Sequence, residues 1–433
     1  MTSPFLSEAY GVVALPAFPF TLQKRPSEGV LWDQERQEIV VEAMPAISTP
    51  PQRQEIVIEA GELTEAALRA LADAAVATVE EPAIYGGSLL RHFGHFCHES
   101  LGRLWWLSRE DATPAPAQAA RSRLQQQNAN VYFFMPTWLD CGKDLLPYMA
   151  EILAGLGLRP DRIRILDRPI RFQHLLIPVQ SWGFLWDREA WNAYLGCDSR
   201  ALMRSLLTSF RVPADPQGEA APTRLYVSRS GLPLNLGRLI GDSGLDHLMA
   251  AAGYTIFHPE RHDIATQIRC YSQASDIVFM DGSSLYLLWF ARLQPGARIS
   301  VILRRRQGHA VCARLHELLP DADRIHWRLL DELLGEELTS DKDWESHNLA
   351  DFAALARQLA PAVPFPSEAV KRGLDAYAQQ LVRDSSQEQV IGIVRGLLAE
   401  LLLKDRRQPT THEGVVAAVR HRLRRLRRRF TSP

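Results

Sequence analysis

Residues 224–303 read RLYVSRSGLPLNLGRLIGDSGLDHLMAAAGYTIFHPERHDIATQIRCYSQASDIVFMDGSSLYLLWFARLQPGARISVIL. Four short apolar runs punctuate this stretch: Arg224–Ser228, Tyr254–His258, Asp276–Met280 and Arg298–Leu303. Each is strand-length and carries β-branched or aromatic residues. Between them lie helical spans at 243–252 (closed by Gly253), 263–274 and 284–293. A further helix at 309–319 leads to a last strand, Arg324–Leu329. Short apolar strands alternating with helices are the pattern of a parallel sheet covered on both faces. This stretch therefore predicts a doubly wound, Rossmann-like layer.

Working outward, residues 211–222 (RVPADPQGEAAP) combine three prolines, a glycine and mixed charge, which reads as an interdomain linker. The expected organisation is an α/β domain at 1–210, the linker at 211–222, the Rossmann-like domain at 223–365 and a helical region at 366–433. Residues 1–60 are Pro-rich with short β-like runs at Glu38–Val41 and Glu55–Glu59. Residues 62–80 read as one helix, since Ala and Leu dominate without a breaker. Helix resumes past Gly94. Val131–Met135 reads as a buried strand, Leu145–Leu156 as a helix capped by Gly157, and Arg162–Leu166 and His174–Val179 as strands.

The 433 residues suggest two or three domains. With 46% hydrophobic and 23% charged residues the balance is globular, which excludes a disordered or collagenous chain. Five scattered cysteines (Cys97, Cys141, Cys197, Cys270, Cys312) form no CxxC pair, which excludes a zinc ribbon and a thioredoxin-type motif. A reducing cytoplasm fits this usage, and no Asn-x-Ser/Thr acceptor is present. The longest strongly apolar run, Leu285–Ala291, falls far short of the about 18 residues of a spanning helix. The N-terminal stretch lacks a basic segment and is broken by Pro16 and Pro19, so no signal peptide is expected.

Ligands of an open parallel sheet bind beyond the carboxyl ends of its strands. Those positions carry Ser228-Arg229-Ser230-Gly231, His258-Pro259-Glu260, Asp281-Gly282-Ser283-Ser284 and Arg304-Arg305-Arg306. The Gly282-Ser283-Ser284 turn can present N–H groups to a phosphate, Arg229 can clamp it in a fork, and Glu260 can accept from ribose hydroxyls. The competing reading makes the Gly-Ser-Ser turn an ordinary helix cap and the arginines a solvated strand end. A second cluster holds His92, His95, Cys97, His98 and Glu99. It fits no known zinc spacing, and HExxH is absent. Three readings stand: a metal site, buried structural histidines, or an acid/base or acceptor-binding site. His95 and Glu99 are four apart and share a helix face, as a base and its orienting carboxylate would.

In order, HFGHFCHESLGRLWWL, RLYVSRS, the helix–Gly–Tyr–strand–Pro–Glu run and GSSLYLLWF resemble glycosyltransferase family 61, in particular its bacterial members found with capsule and lipopolysaccharide-type surface polysaccharide genes. The resemblance covers about 85–305. It implies a GT-B architecture of two Rossmann-like domains facing a cleft, with a helical C-terminal extension. It implies an inverting, metal-independent glycosyltransferase that needs no cofactor, since the nucleotide-sugar is a substrate. The donor would sit on Arg229, Arg238, Glu260, Gln267, Gly282, Ser283, Ser284 and Tyr286. His95 and Glu99 fall on the catalytic His and Glu, and His92 and His98 on the acceptor side. The chain departs from the family pattern at Gly241-Asp242, where Asn-Glu is usual, and at Tyr286, where many bacterial members carry His. The implied reaction is direct displacement at the anomeric carbon, with cationic side chains holding the leaving diphosphate. The alternatives are a non-catalytic nucleotide-sugar-binding or scaffold protein, and another GT-B-like transferase such as a pyruvyl transferase.

Charge is uneven along the chain. Lys404–Pro433 carries ten basic and two acidic residues, against a net −1 overall. Val416, Val419, Leu423, Leu426 and Phe430 form one apolar stripe on a basic helix. Arg420–Phe430 is thus expected to meet an anionic membrane surface, where a lipid-linked glycan acceptor would lie. The same stripe would also serve packing against the body. No nucleic-acid module is present, so the expected location is cytoplasmic and peripheral on the inner membrane.

Overall fold

A computed structural model of the chain describes residues 3–22, 25–40, 43, 56–57, 65–74, 77–136, 144–183, 187–212, 222–320, 322–334 and 346–384. The chain divides into two compact units, Met1–Ala214 and Asp215–Pro433.

The first unit carries nine described strands: β1 (Leu6–Leu22), β2 (Arg25–Asp33), β3 (Glu38–Ile39), β4 (Ile56–Val57), β5 (Ala77–Val79), β6 (Ala83–Ser88), β7 (Val131–Phe134), β8 (Ile163–Leu166) and β9 (Ile170–Pro178). They pair in the order β3-β2-β1-β9-β6-β7-β8, with β4 on β1 and β5 on β9. The β9-β6-β7-β8 portion is parallel. β1 pairs antiparallel to both β2 and β9. Every residue of β6 and β7 is buried, as parallel strands covered on both faces must be. Five helices belong here: α1 (Glu65–Asp73), α2 (Phe93–His98), α3 (Gln118–Gln126), α4 (Pro147–Gly155) and α5 (Arg188–Leu195). A sixth, α6 (Ser199–Thr208), closes the unit.

The second unit is the layer that the alternation at 224–329 predicts. Its strands are β10 (Arg224–Val227), β11 (Arg238–Leu239), β12 (Thr255–Phe257), β13 (Asp276–Met280), β14 (Arg298–Ile302), β15 (His326–Leu330) and β16 (His347–Asn348). Five form an all-parallel sheet in the order β12-β10-β13-β14-β15, and β11 pairs with β16. Helices α7 (Ser243–Ala251), α8 (Ile264–Gln273) and α9 (Gly308–Leu318) connect them. Asp263 caps α8 by accepting from the Thr266 amide at 2.7 Å. Helices α10 (Phe352–Leu359) and α11 (Ser367–Asp384) follow the sheet. Two α/β units followed by C-terminal helices make a GT-B-like, two-domain α/β fold.

Several local expectations change. The Pro-rich start is a 17-residue strand, and the register shift between Leu15 and Pro19 takes Pro16 out of the ladder, where its missing N–H costs nothing. The helix expected over 62–80 is α1 alone among the described residues, and Ala77–Val79 pairs with β9 instead. The helix expected over 284–293 is a 3-10 helix, Ser283–Trp289, in which residues 285–289 are all buried. A run with no polar face lacks the amphipathic period that an α-helix on a sheet needs. Past Gly94, α2 stops at His98 and gives way to 3-10 turns at Ser100–Arg103 and Trp105–Leu107. Of the region 366–433, Ser367–Asp384 is helical, while Arg420–Phe430 lies outside the described residues. Among the described residues no helix is long and apolar enough to cross a membrane.

Candidate functional site

At the carboxyl edge of the second sheet, Arg229 follows β10 and is buried. Its Nη2 donates to Leu236 O at 2.9 Å, and its Nε has no partner. Gly282 follows β13 directly against it: a Cβ there would lie 2.5 Å from Arg229 Nη1. The glycine backbone is extended, so it is space and not backbone conformation that excludes a side chain. Burial pushes the Arg229 guanidinium down to about 10, with Asp281 working the other way.

Asp281 organises the arginines around it. Arg305 Nε donates to its carboxylate at 3.0 Å, and Arg304 Nε to its backbone carbonyl at 2.9 Å. Burial works to raise this carboxyl, but Arg305, Arg304 and Arg229 outweigh it and hold it below the ordinary value. Ser228 Oγ and Ser230 Oγ both donate to Asp246 of α7, at 2.7 and 2.5 Å. Burial raises the Asp246 carboxyl. The position of Asp281 beside the Gly-Ser-Ser turn already marks it in the sequence. Asp246 sits in the first turn of α7 and carries no motif, so sequence reasoning misses it.

Glu260 sits in the turn after β12, its Oε1 3.5 Å from His258 Nδ1. Its carboxylate lies over Gly231, where a Cβ would come within 2.2 Å of Oε1. The structure thus brings Arg229, Gly231, Glu260, Asp281, Gly282 and Arg305 to one edge. Gln267 braces that edge, its Nε2 donating to Pro259 O at 3.0 Å and His262 O at 2.9 Å. Ser283 and Ser284 are half-buried in the first turn of the 3-10 helix. Tyr286 is buried there, its ring 5.1 Å from that of Trp289. Arg238 is engaged elsewhere. It forks onto Asp242 through Nε (2.9 Å) and Nη2, and its Nη1 donates to Gln380 of α11 at 3.0 Å. It braces the loop whose carbonyl at Leu236 holds Arg229.

In the first unit, α2 follows β6 at the carboxyl edge of the parallel strands. His95 Nδ1 and Glu99 Oε2 are 2.5 Å apart, with Glu99 buried and the His95 side chain 28% exposed. The His92 ring stands nearly perpendicular to that of His95 at 5.1 Å. His98 is buried, and its Nδ1 accepts from Trp182 Nε1 at 3.3 Å. Cys97 is buried too, which pushes its thiol well up. In the 3-10 turn after α2, Gly102 sits where no side chain fits. A Cβ at Gly102 would lie 2.5 Å from both Gln180 Nε2 and Trp182 O. Among the described residues no group of three or more His, Cys, Asp or Glu could hold a metal ion.

Both clusters lie largely within one matched segment, with His92, Arg304 and Arg305 outside it. Residues 93–300 match the family model of glycosyltransferase 61. No curated protein matches the chain. Glycosyltransferase 61 is a family associated with polysaccharide biosynthesis, and the match supports a general glycosyltransferase activity. The glycosyltransferase 61 segment opens on α2, with His95 and Glu99, and runs through Arg229, Glu260 and Gly282 into β14. In the Gly241-Asp242 pair, the Asp242 carboxylate is committed to Arg238.

Proposed function

We propose that the chain is an inverting glycosyltransferase. It takes a sugar from a nucleotide-sugar and gives it to a glycan or lipid-linked acceptor of surface polysaccharide synthesis. One observation carries this reading: inside the matched segment, a buried arginine with an unpartnered Nε lies against a glycine that has no room for a side chain. A buried donor without an acceptor is unfavourable, and a diphosphate oxygen supplies one. Arg229 and the N–H groups of the Gly282–Ser284 turn hold the leaving diphosphate. Glu260 accepts from the ribose hydroxyls. Asp281, Arg305, Arg238 and Gln267 keep these groups in place.

His95 is the base. Glu99 holds its Nδ1, so Nε2 is the atom that takes the proton from the acceptor hydroxyl as that oxygen attacks the anomeric carbon. The buried carboxylate stabilises the imidazolium that forms. The nucleoside diphosphate leaves from the opposite face, which inverts the anomeric centre. His92 lies beside this base on the acceptor side. The basic stripe at Arg420–Phe430 supports an acceptor met at an anionic membrane surface on the cytoplasmic side.

The test is a thermal-shift panel of UDP-, GDP-, ADP-, TDP- and CMP-linked sugars on the parent and on Arg229→Lys, which keeps the charge and loses the fork. A ligand at 100 times its dissociation constant adds about 2.7 kcal/mol of stability. One nucleotide series should stabilise the parent and fail on the variant. No stabilisation of the parent by any of them would overturn the donor assignment.

A further inference from the structure

The first unit holds a cavity of about 400 Å³ that the proposed reaction does not use. It lies at the last turn of α4, residues 154–157. Its polar lining comes from Arg109, Gln125, Arg162, Ser209 and Arg211, and Trp106 forms part of its wall. No carboxylate is among the described residues that line it.

Topology separates this cavity from His95. Gln125 belongs to the last turn of α3, which leads into β7, and Arg162 directly precedes β8. The cavity is therefore at the amino edge of the parallel strands, whereas α2 leaves the carboxyl edge of β6. Helix α4 marks the distance between them. Its first turn carries Tyr148, whose ring is 5.0 Å from Phe93 of α2, and its last turn lines the cavity.

Three guanidiniums line this cavity, and among the described residues one of them pairs with a carboxylate. Arg109 pairs with Asp111. Arg162 points Nε at a neutral group, Ala129 O, at 2.8 Å. Arg211 makes no side-chain hydrogen bond or ion pair among the described residues. Burial, then the neighbouring Arg159, hold the Arg162 guanidinium below its ordinary value. Trp106 is buried, and its Nε1 has no partner. Cations without a carboxylate partner among the described residues are satisfied by an anionic oxygen-bearing group. The volume is that of a small ligand, and an aromatic wall with polar groups around it suits a sugar ring.

We propose that this cavity binds an acidic monosaccharide unit. Arg162 and Arg211 hold its phosphate or carboxylate, and Trp106 meets its ring. This gives the enzyme a second grip on an acidic glycan, away from the reacting end.

Calorimetric titration of the full chain tests it with four probes: glucuronate, glucose 6-phosphate, inorganic phosphate and glucose. At least one of the two acidic sugars should bind at least tenfold more tightly than glucose or inorganic phosphate, and which one binds distinguishes carboxylate from phosphate recognition. The exposed substitution Arg211→Ala should weaken that binding at least tenfold, Trp106→Phe should weaken it as well, and His95→Gln should leave it unchanged. Failure of both acidic sugars to bind overturns the proposal. So does equal binding by Arg211→Ala and the parent, or inorganic phosphate binding as tightly as the sugars.

Discussion

His347 makes the fold sensitive to pH. Burial, then Arg238 and Arg304, push its imidazole down from 6.5 to about 4. Tyr377 Oη lies 2.7 Å from its Nδ1, a contact that suits the neutral ring. The unfolded chain therefore binds a proton that the folded chain refuses. The stability tied to the neutral ring is complete above about pH 6.5 and is lost as pH falls toward about 4, an effect on the order of 3 kcal/mol. Urea unfolding at about pH 7 and about pH 4.5 should show this loss, and His347→Gln should flatten it. Gly282→Ala belongs to the same scale. Its Cβ would meet Arg229 Nη1 at 2.5 Å, so the arginine must move. The expected outcome is a folded protein whose nucleotide-sugar binding, measured by titration, is weakened at least about tenfold, the loss of one charge-assisted hydrogen bond. Arg238 and Asp242 form a buried pair, with side chains 4% and 2% exposed. Asp242→Ala leaves a buried guanidinium uncompensated and should cost about 3–5 kcal/mol in chemical denaturation.

At the scale of elements, α11 is docked by close approach. A Cβ on Gly373 would lie 2.8 Å from Ser243 Oγ and 3.0 Å from Gly241 O, and one on Gly244 would lie 2.8 Å from Val370 Cα. Because the obstacles include backbone, relief requires the helices to part. Gly373→Ala should therefore cost about 1–3 kcal/mol, read from the urea midpoint. Sequence reading and structure agree best where the signal is local. The strands Arg224–Val227, Asp276–Met280 and Arg298–Ile302 are short apolar runs with turn residues at both ends, and all three are there. The His95–Glu99 contact follows from a spacing of four on a helix. The long antiparallel β1 was not legible, because its partners β2 and β9 are set by pairing across the sheet and its prolines read as breakers. The change of 284–293 from α to 3-10 was hidden for a related reason, since a uniformly apolar run has no period to read. Asp246 was invisible because its role depends on two serines from another element.

At the scale of the whole molecule, each α/β unit places polar groups at the carboxyl edge of its parallel strands, as such sheets generally do. One edge gathers cations and a side-chain-free glycine, suited to a diphosphate. The other gathers an imidazole and a buried carboxylate, suited to taking a proton. The two edges thus divide the labour of holding the donor and taking the proton. The most direct test of this division is single-turnover sugar transfer by His95→Gln beside the parent, at saturating donor, with donor affinity measured on the same samples. Donor affinity should be unchanged and transfer should fall by about 10²- to 10⁴-fold, the usual contribution of a positioned base. Transfer at the parental rate by His95→Gln would contradict this division.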